Sequence, residues 1–171
     1  MTQITMGMIK KDNQKYKEFV ELPVPVGDKE YVVKIYPYFS PEKVRDLRNE
    51  YYQFLKTAED EKVEIPEIER DDLIGYYVIK YFTDVKMTSS KKIKTIYAEF
   101  KEALNSPLFE VVLKGLPEES LLYVHEKIHE IKEIGARFEN EIRKAQEEIQ
   151  NLDLENRDVL FPPTEKQIPE V

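Results

Sequence analysis

The stretch "DLIGYYVIKYF", residues 72–82, decides the fold. It is apolar nearly all round, which implies burial on every side. As a helix it is the central element of a mainly helical body. As a strand it seeds a sheet. Buried strands usually end after about 4–8 residues, so the length of this run favours a helix. Gly75 pulls the other way, because glycine costs a helix interior about 1 kcal/mol relative to alanine. Helix is the expectation for 73–82, and the strand stays open.

The sequence before it supplies what such a helix packs on. In "FVELPVPVGDKEYVVKIY", Val20, Leu22, Val24 and Val26 fall on alternate positions, as do Tyr31, Val33 and Ile35. Gly27-Asp28 between them suits a tight hairpin turn. Pro23 and Pro25 cannot donate to a ladder, so the first strand reads as an edge or as only partly paired. A two-stranded hairpin is marginal alone and needs helices beneath its apolar face. A helix then opens at Ser40-Pro41, a good N-cap followed by a residue suited to the first helical position. Val44, Leu47, Tyr51, Phe54, Leu55 and Ala58 make its apolar stripe. "EDEKVEIPEIERDD", residues 59–72, reads as an acidic connector or a helix start.

After it, a helix opens at "TSSKK" (88–92) and carries Ile93, Ile96, Tyr97, Phe100 and Leu104 at a 3.6-residue period. Ser106-Pro107 starts a short helix through Leu113, stopped by Gly115. From Pro117 the apolar positions run Leu121, Val124, Ile128, Ile131, Gly135, Phe138, Ile142, Ala145, Ile149 and Leu152, in steps of three and four. That is a heptad seam in which only Gly135 lacks a side chain. Over 117–152 it would extend roughly 54 Å, longer than a body of this size covers. The expected fold class is mainly α (α+β): an N-terminal β-hairpin packed on a helical bundle, with a long heptad-patterned C-terminal helix. The expected organisation is a flexible N-terminus at 1–16, a compact body at 17–116, the long helix at 117–152 and a mobile tail at 153–171.

Composition narrows the function. The 171 residues carry a net charge of −8, which argues against general nucleic-acid binding. Cysteine is absent, so no disulfide or thiolate metal site forms. No run of about 18 apolar residues spans a membrane, and the N-terminus lacks the apolar core of a signal peptide. A cytoplasmic protein is the expectation. The five glycines are scattered, so no phosphate-binding loop exists. Lys86, Lys91, Lys92 and Lys94 form a basic patch that reads as a solvated helix start. No cofactor is expected.

The one motif with a catalytic spelling is "VHEKIHE", 124–130, where His125, Glu126 and His129 match H-E-x-x-H. A zinc hydrolase needs that spacing to present two imidazoles on one helix face, and it needs a third ligand. Lys132 and Gly135 replace the glycine and third histidine of the extended pattern. Glu139, Glu141 and Glu147 lie farther along the same rod and cannot fold back. His125 and His129 are therefore expected to be solvent-accessible, without a third ligand, and to bind metal only weakly or adventitiously.

Tyrosine is abundant, at 11 residues, and clustered. The groups read as core residues whose hydroxyls reach the surface, or as an aromatic groove for a partner helix. Tyr51, Tyr77 and Tyr81 are the candidates for that groove. Phe138, Ile142 and Ile149 are the candidates for a contact along the seam, with a homodimer favoured.

"VPVGDKEYVVKIYPYFSPEKVRDLRNEYYQFL", "DLIGYYVIKYFTDVK" and "IKTIYAEFKEALNSPLFEVVLKGLPEES" together resemble the phage and prophage tail assembly chaperones of Gram-positive bacteria, over about residues 17–120. The resemblance implies a small, acidic, mostly helical, non-enzymatic protein that keeps the tape-measure protein soluble while the tail tube polymerises. It carries no functional residue across. The alternatives are a structural coiled-coil or scaffold protein of a phage particle and, more remotely, a zinc-dependent hydrolase using His125, Glu126 and His129.

Overall fold

A computed structural model describes residues 3–151; in the last helix, the side chains at 131–136, 146 and 148–151 lie outside the description. The order is α1 (Met6–Asp12), a 3-10 turn (Asn13–Lys17), β1 (Val20–Val26), β2 (Lys29–Ile35), α2 (Pro41–Asp60), α3 (Glu67–Phe82), α4 (Ile93–Leu104), α5 (Pro107–Gly115) and α6 (Glu118–Asn151). The class is mainly helical with an antiparallel N-terminal hairpin, as the sequence implies. The segment 1–16, non-periodic in sequence, includes α1, none of whose residues is buried.

Residues 72–82 are helical. Leu73, Ile74, Tyr76, Tyr77, Val78, Ile79 and Phe82 are all buried, so α3 lies at the centre of the body. Gly75 is explained by close packing rather than by a break. A Cβ there would sit 2.8 Å from the Phe109 ring and 3.0 Å from Leu113, both on α5. Tertiary contact outweighs the propensity cost.

The hairpin pairs in full, from Val20 with Ile35 to Val26 with Lys29. Gly27 has φ 61° and Asp28 does not join it at positive φ, the pattern of a two-residue turn with glycine first. Of the two readings the prolines allowed, β1 is an edge strand, and it is paired along its whole length. In this register Pro23 and Pro25 fall at positions whose N–H would point away from β2. The prolines therefore cost the ladder nothing, and they blunt the free edge against a further strand. Val24, Val33 and Ile35 are buried against the helices. The opposite edge, that of β2, is closed by the segment after α3: Tyr36 N donates to Phe82 O at 2.9 Å, Asp84 N to Lys34 O at 3.1 Å, and Lys34 N to the Asp84 carboxylate at 2.8 Å.

Ser40 caps α2, its hydroxyl accepting from Lys43 N at 3.3 Å. The acidic stretch 59–72 is shared between the end of α2, a connector and the start of α3. Helix α4 begins at Ile93, later than "TSSKK" suggests. The Thr88 and Ser90 hydroxyls each take the backbone N–H two residues on, from Ser90 and Lys92 at 3.1 Å. Those local turns compete with the helix and delay it.

Rings tie α2, α3 and α4 together. Tyr51 meets Tyr77 edge-on at 6.3 Å, Tyr77 meets Tyr76 at 5.3 Å, and Tyr76 meets Phe100 at 6.0 Å. Glu69 on α3 accepts from the Tyr97 hydroxyl at 2.7 Å and from the Lys101 ammonium, both on α4. The Lys101 bond, then the Tyr97 bond, holds the Glu69 carboxyl below its ordinary 4.5. A depressed folded-state value stabilises the fold fully above the unfolded value and is lost as pH falls through the folded one. Glu69→Gln should therefore flatten the fall in melting temperature below about pH 4.5, against a steeper fall in the wild type, both read by circular dichroism.

The chain divides into compact units after His129, within α6. Val124 and Ile128 are buried members of the core, so the body's packing continues past Pro117. The Tyr52 hydroxyl donates to Ile128 O at 2.5 Å and the Ser120 hydroxyl to Pro37 O at 2.7 Å, fixing the first turns of α6. The tail at 153–171 lies outside the described residues. Among the described residues, no helix is long and apolar enough to cross a membrane.

Candidate functional site

The tyrosines divide by role. Tyr51 and Tyr77 are 5% and 0% exposed, so as partner-binding residues they are corrected to core residues. The 3.6-residue stripes of α2 and α3 face each other and bury them. Tyr81 is half-buried, and its hydroxyl donates to Glu50 at 2.6 Å, with Lys80 bonded to the other oxygen of that carboxylate. Beside this pair lies a cleft of about 420 Å³ between α2, α3 and the start of α4; its walls include Glu50, Phe54, Tyr77, Lys80, Tyr81 and Ile96. Charged and polar groups share those walls with the rings, which is unlike an apolar trough for a partner helix.

Burial, with help from Tyr52, pushes the Tyr51 hydroxyl up to about 12. Tyr76, Tyr77 and Tyr81 are also raised, first by burial and then by the carboxylates of Glu99 or Glu50. None of these four serves as a base near neutral pH.

Two neighbouring hydroxyls differ in satisfaction. Tyr76 donates to Glu99 at 2.8 Å, while the Tyr77 hydroxyl is buried without a partner. Removing a paired hydroxyl loses its bond and strands the acceptor, whereas removing an unpaired one relieves a desolvation cost. Tyr76→Phe should cost about 1 kcal/mol in urea unfolding. Tyr77→Phe should be neutral or raise stability by up to about 1 kcal/mol.

The histidine pair has a neighbour that sequence reading missed. Val124 and Ile128 face the core, which turns His125 and His129, one position farther round α6, to the rim of that contact. His125 is half-buried and His129 exposed, with ring centroids 6.2 Å apart and planes 23° from parallel. Asp71, exposed on the second turn of α3, brings a carboxylate oxygen to within 4.8 Å of a nitrogen of each imidazole. The carboxylate is a third group near the histidines that the reading along α6 did not consider. That reading rested on residues beyond His129, whereas the carboxylate comes from an earlier helix that tertiary packing lays alongside. Asp71 stands in a run of acidic residues and has no distinguishing spacing from His125. Glu126 is exposed. The cleft described above is lined by none of these residues, nor are the two shallower ones, beside Tyr52 and beside Tyr38.

Along the distal part of α6, Phe138 and Ile142 are 64% and 45% exposed, four residues apart on one face. The third seam candidate, Ile149, has a side chain outside the described residues. Other exposed apolar side chains include Ile4, Met6, Met8 and Ile9 at the N-terminus, Ile68 on α3 and Leu122 on α6.

Comparison with known proteins adds a lineage. The chain is 24% identical over 155 residues, covering 90% of itself and 87% of the relative, to the SPbeta prophage-derived uncharacterized protein YomO of Bacillus subtilis (strain 168). No solved structure matches the chain. The sequence pattern of the YomO family matches residues 6–162, nearly the whole length, and the chain belongs to that family.

Proposed function

We propose that this chain is a prophage-encoded, non-enzymatic protein of the host cytoplasm that acts in tail assembly as a chaperone, holding an apolar helical partner such as the tape-measure protein. The observation that carries this reading is the pair Phe138 and Ile142, exposed on one face of a helix whose heptad pattern is built for another helix. An apolar seam left in water is a protein-contact surface. In the free protein a second copy covers it, as a dimer; during assembly the client helix replaces that copy. The prophage origin of the relative from Bacillus subtilis supports the phage setting. The net charge of −8 suits a protein that keeps an apolar client in solution.

Co-expression with the products of the neighbouring genes, followed by pull-down, tests the reading. The expected result is one predominantly helical client retained by the wild type and released by Phe138→Asp together with Ile142→Asp. Retention of the client by the double variant would sink the seam as the contact. A structural coiled-coil or scaffold role makes a different forecast: the protein stays in finished particles, whereas a chaperone is absent from them.

A further inference from the structure

We propose that Asp71, His125 and His129 form a binding site for one divalent transition-metal ion, which clips α6 to α3. Three observations meet there. The histidines are four residues apart on one helix face, so both rings project to the same side. Their ring centroids lie 6.2 Å apart with planes 23° from parallel, so the two rings stand side by side on that face. A carboxylate from a different helix completes the set, with all three ligating atoms within 4.8 Å of one another.

Ligands at about 2.0–2.2 Å from a tetrahedral ion stand roughly 3.4 Å apart. Reaching that geometry from the present one takes small side-chain rotations, and the backbone need not move. The histidines are at the rim and Asp71 is exposed, so the rotations meet little resistance. The helices that carry them are fixed. Leu73 and Ile74, just after Asp71, are 0% and 1% exposed, and Val124 and Ile128 beside the histidines are 0% and 3%. The site is thus pre-positioned by core packing, while its ligands stay accessible to an ion from solution.

Two nitrogens and one oxygen suit zinc, nickel, cobalt or copper, and disfavour magnesium and calcium, which take oxygen ligands. Water fills the remaining positions. His129 is the last residue of the first compact unit, so the ion would brace the part of α6 that belongs to that unit. The role is structural. Among the described residues, the three clefts beside Tyr81, Tyr52 and Tyr38 are lined by none of the three ligands.

The test uses the full chain with any affinity tag removed, titrated with zinc alone by calorimetry and with cobalt by visible absorption. The expected result is one ion per chain, cobalt d–d bands typical of mixed nitrogen and oxygen ligation, and no binding of magnesium or calcium. Asp71→Asn should weaken zinc binding at least about tenfold, and His129→Ala further still. Zinc should also raise the melting temperature of the wild type and leave that of Asp71→Asn nearly unchanged. All three side chains are outside the core, and helical circular dichroism verifies that the variants fold. Equal zinc affinity in wild type and Asp71→Asn would overturn the proposal, since the histidine pair alone would then account for binding. So would the absence of one-to-one binding.

Discussion

Phe100→Ala is expected to remove about 3–5 kcal/mol of stability, a large share of the roughly 5–15 kcal/mol that holds a domain folded. The ring is 0% exposed on α4. It meets Tyr76 edge-on at 6.0 Å and Tyr97 nearly parallel at 6.0 Å. Truncation loses the transfer energy of the ring and opens a cavity between α3 and α4. Collapse into that cavity is resisted because Tyr76 is held by its hydrogen bond to Glu99, which also accepts from Thr88 N at 3.0 and 2.9 Å. Urea unfolding followed by circular dichroism reads the effect. A loss below about 1 kcal/mol would mean that the three-helix contact repacks freely around the missing ring.

The second large effect is on association. The free chain is expected to run as a dimer on size exclusion with light scattering at concentrations on the order of tens of micromolar, and Ile142→Asp to run as a monomer. Two facing seams would each place a carboxylate against apolar side chains, and desolvating it costs several kcal/mol, so affinity should fall at least about a hundredfold. The body should keep its melting temperature, because Ile142 belongs to the unit beyond His129 and is exposed, outside the core found among the described residues. An unchanged monomer in both proteins would show that the seam does not self-associate.

The strategy by which this chain reads as a fold is visible in where expectation and structure part. Apolarity nearly all round 72–82 points to a central element, and burial of α3 follows from it. The hairpin, its two-residue turn and the stripe of α2 follow equally from local pattern: an alternation of two, a glycine free to take positive φ, and a period of 3.6 each have one low-energy solution. The two prolines of β1 announce an edge strand, and the register decides that their missing donors cost the ladder nothing. Local chemistry misleads at "TSSKK", where serine and threonine hydroxyls compete with the helix they were expected to start.

What the sequence by itself determined is therefore the class of fold, the order of its elements from β1 to α6 and the heptad pattern of the last helix, because each rests on interactions between residues a few positions apart; α1, in a segment without periodicity, was not among them. The tertiary structure alone decided that Gly75 is a point of close approach to Phe109, that Tyr51 and Tyr77 are core, and that Asp71 stands beside His125 and His129. These depend on which face of one helix meets which face of another, and residues 54 positions apart in sequence, such as Asp71 and His125, show no periodicity that would announce their contact. Packing brings together what spacing along the chain does not encode.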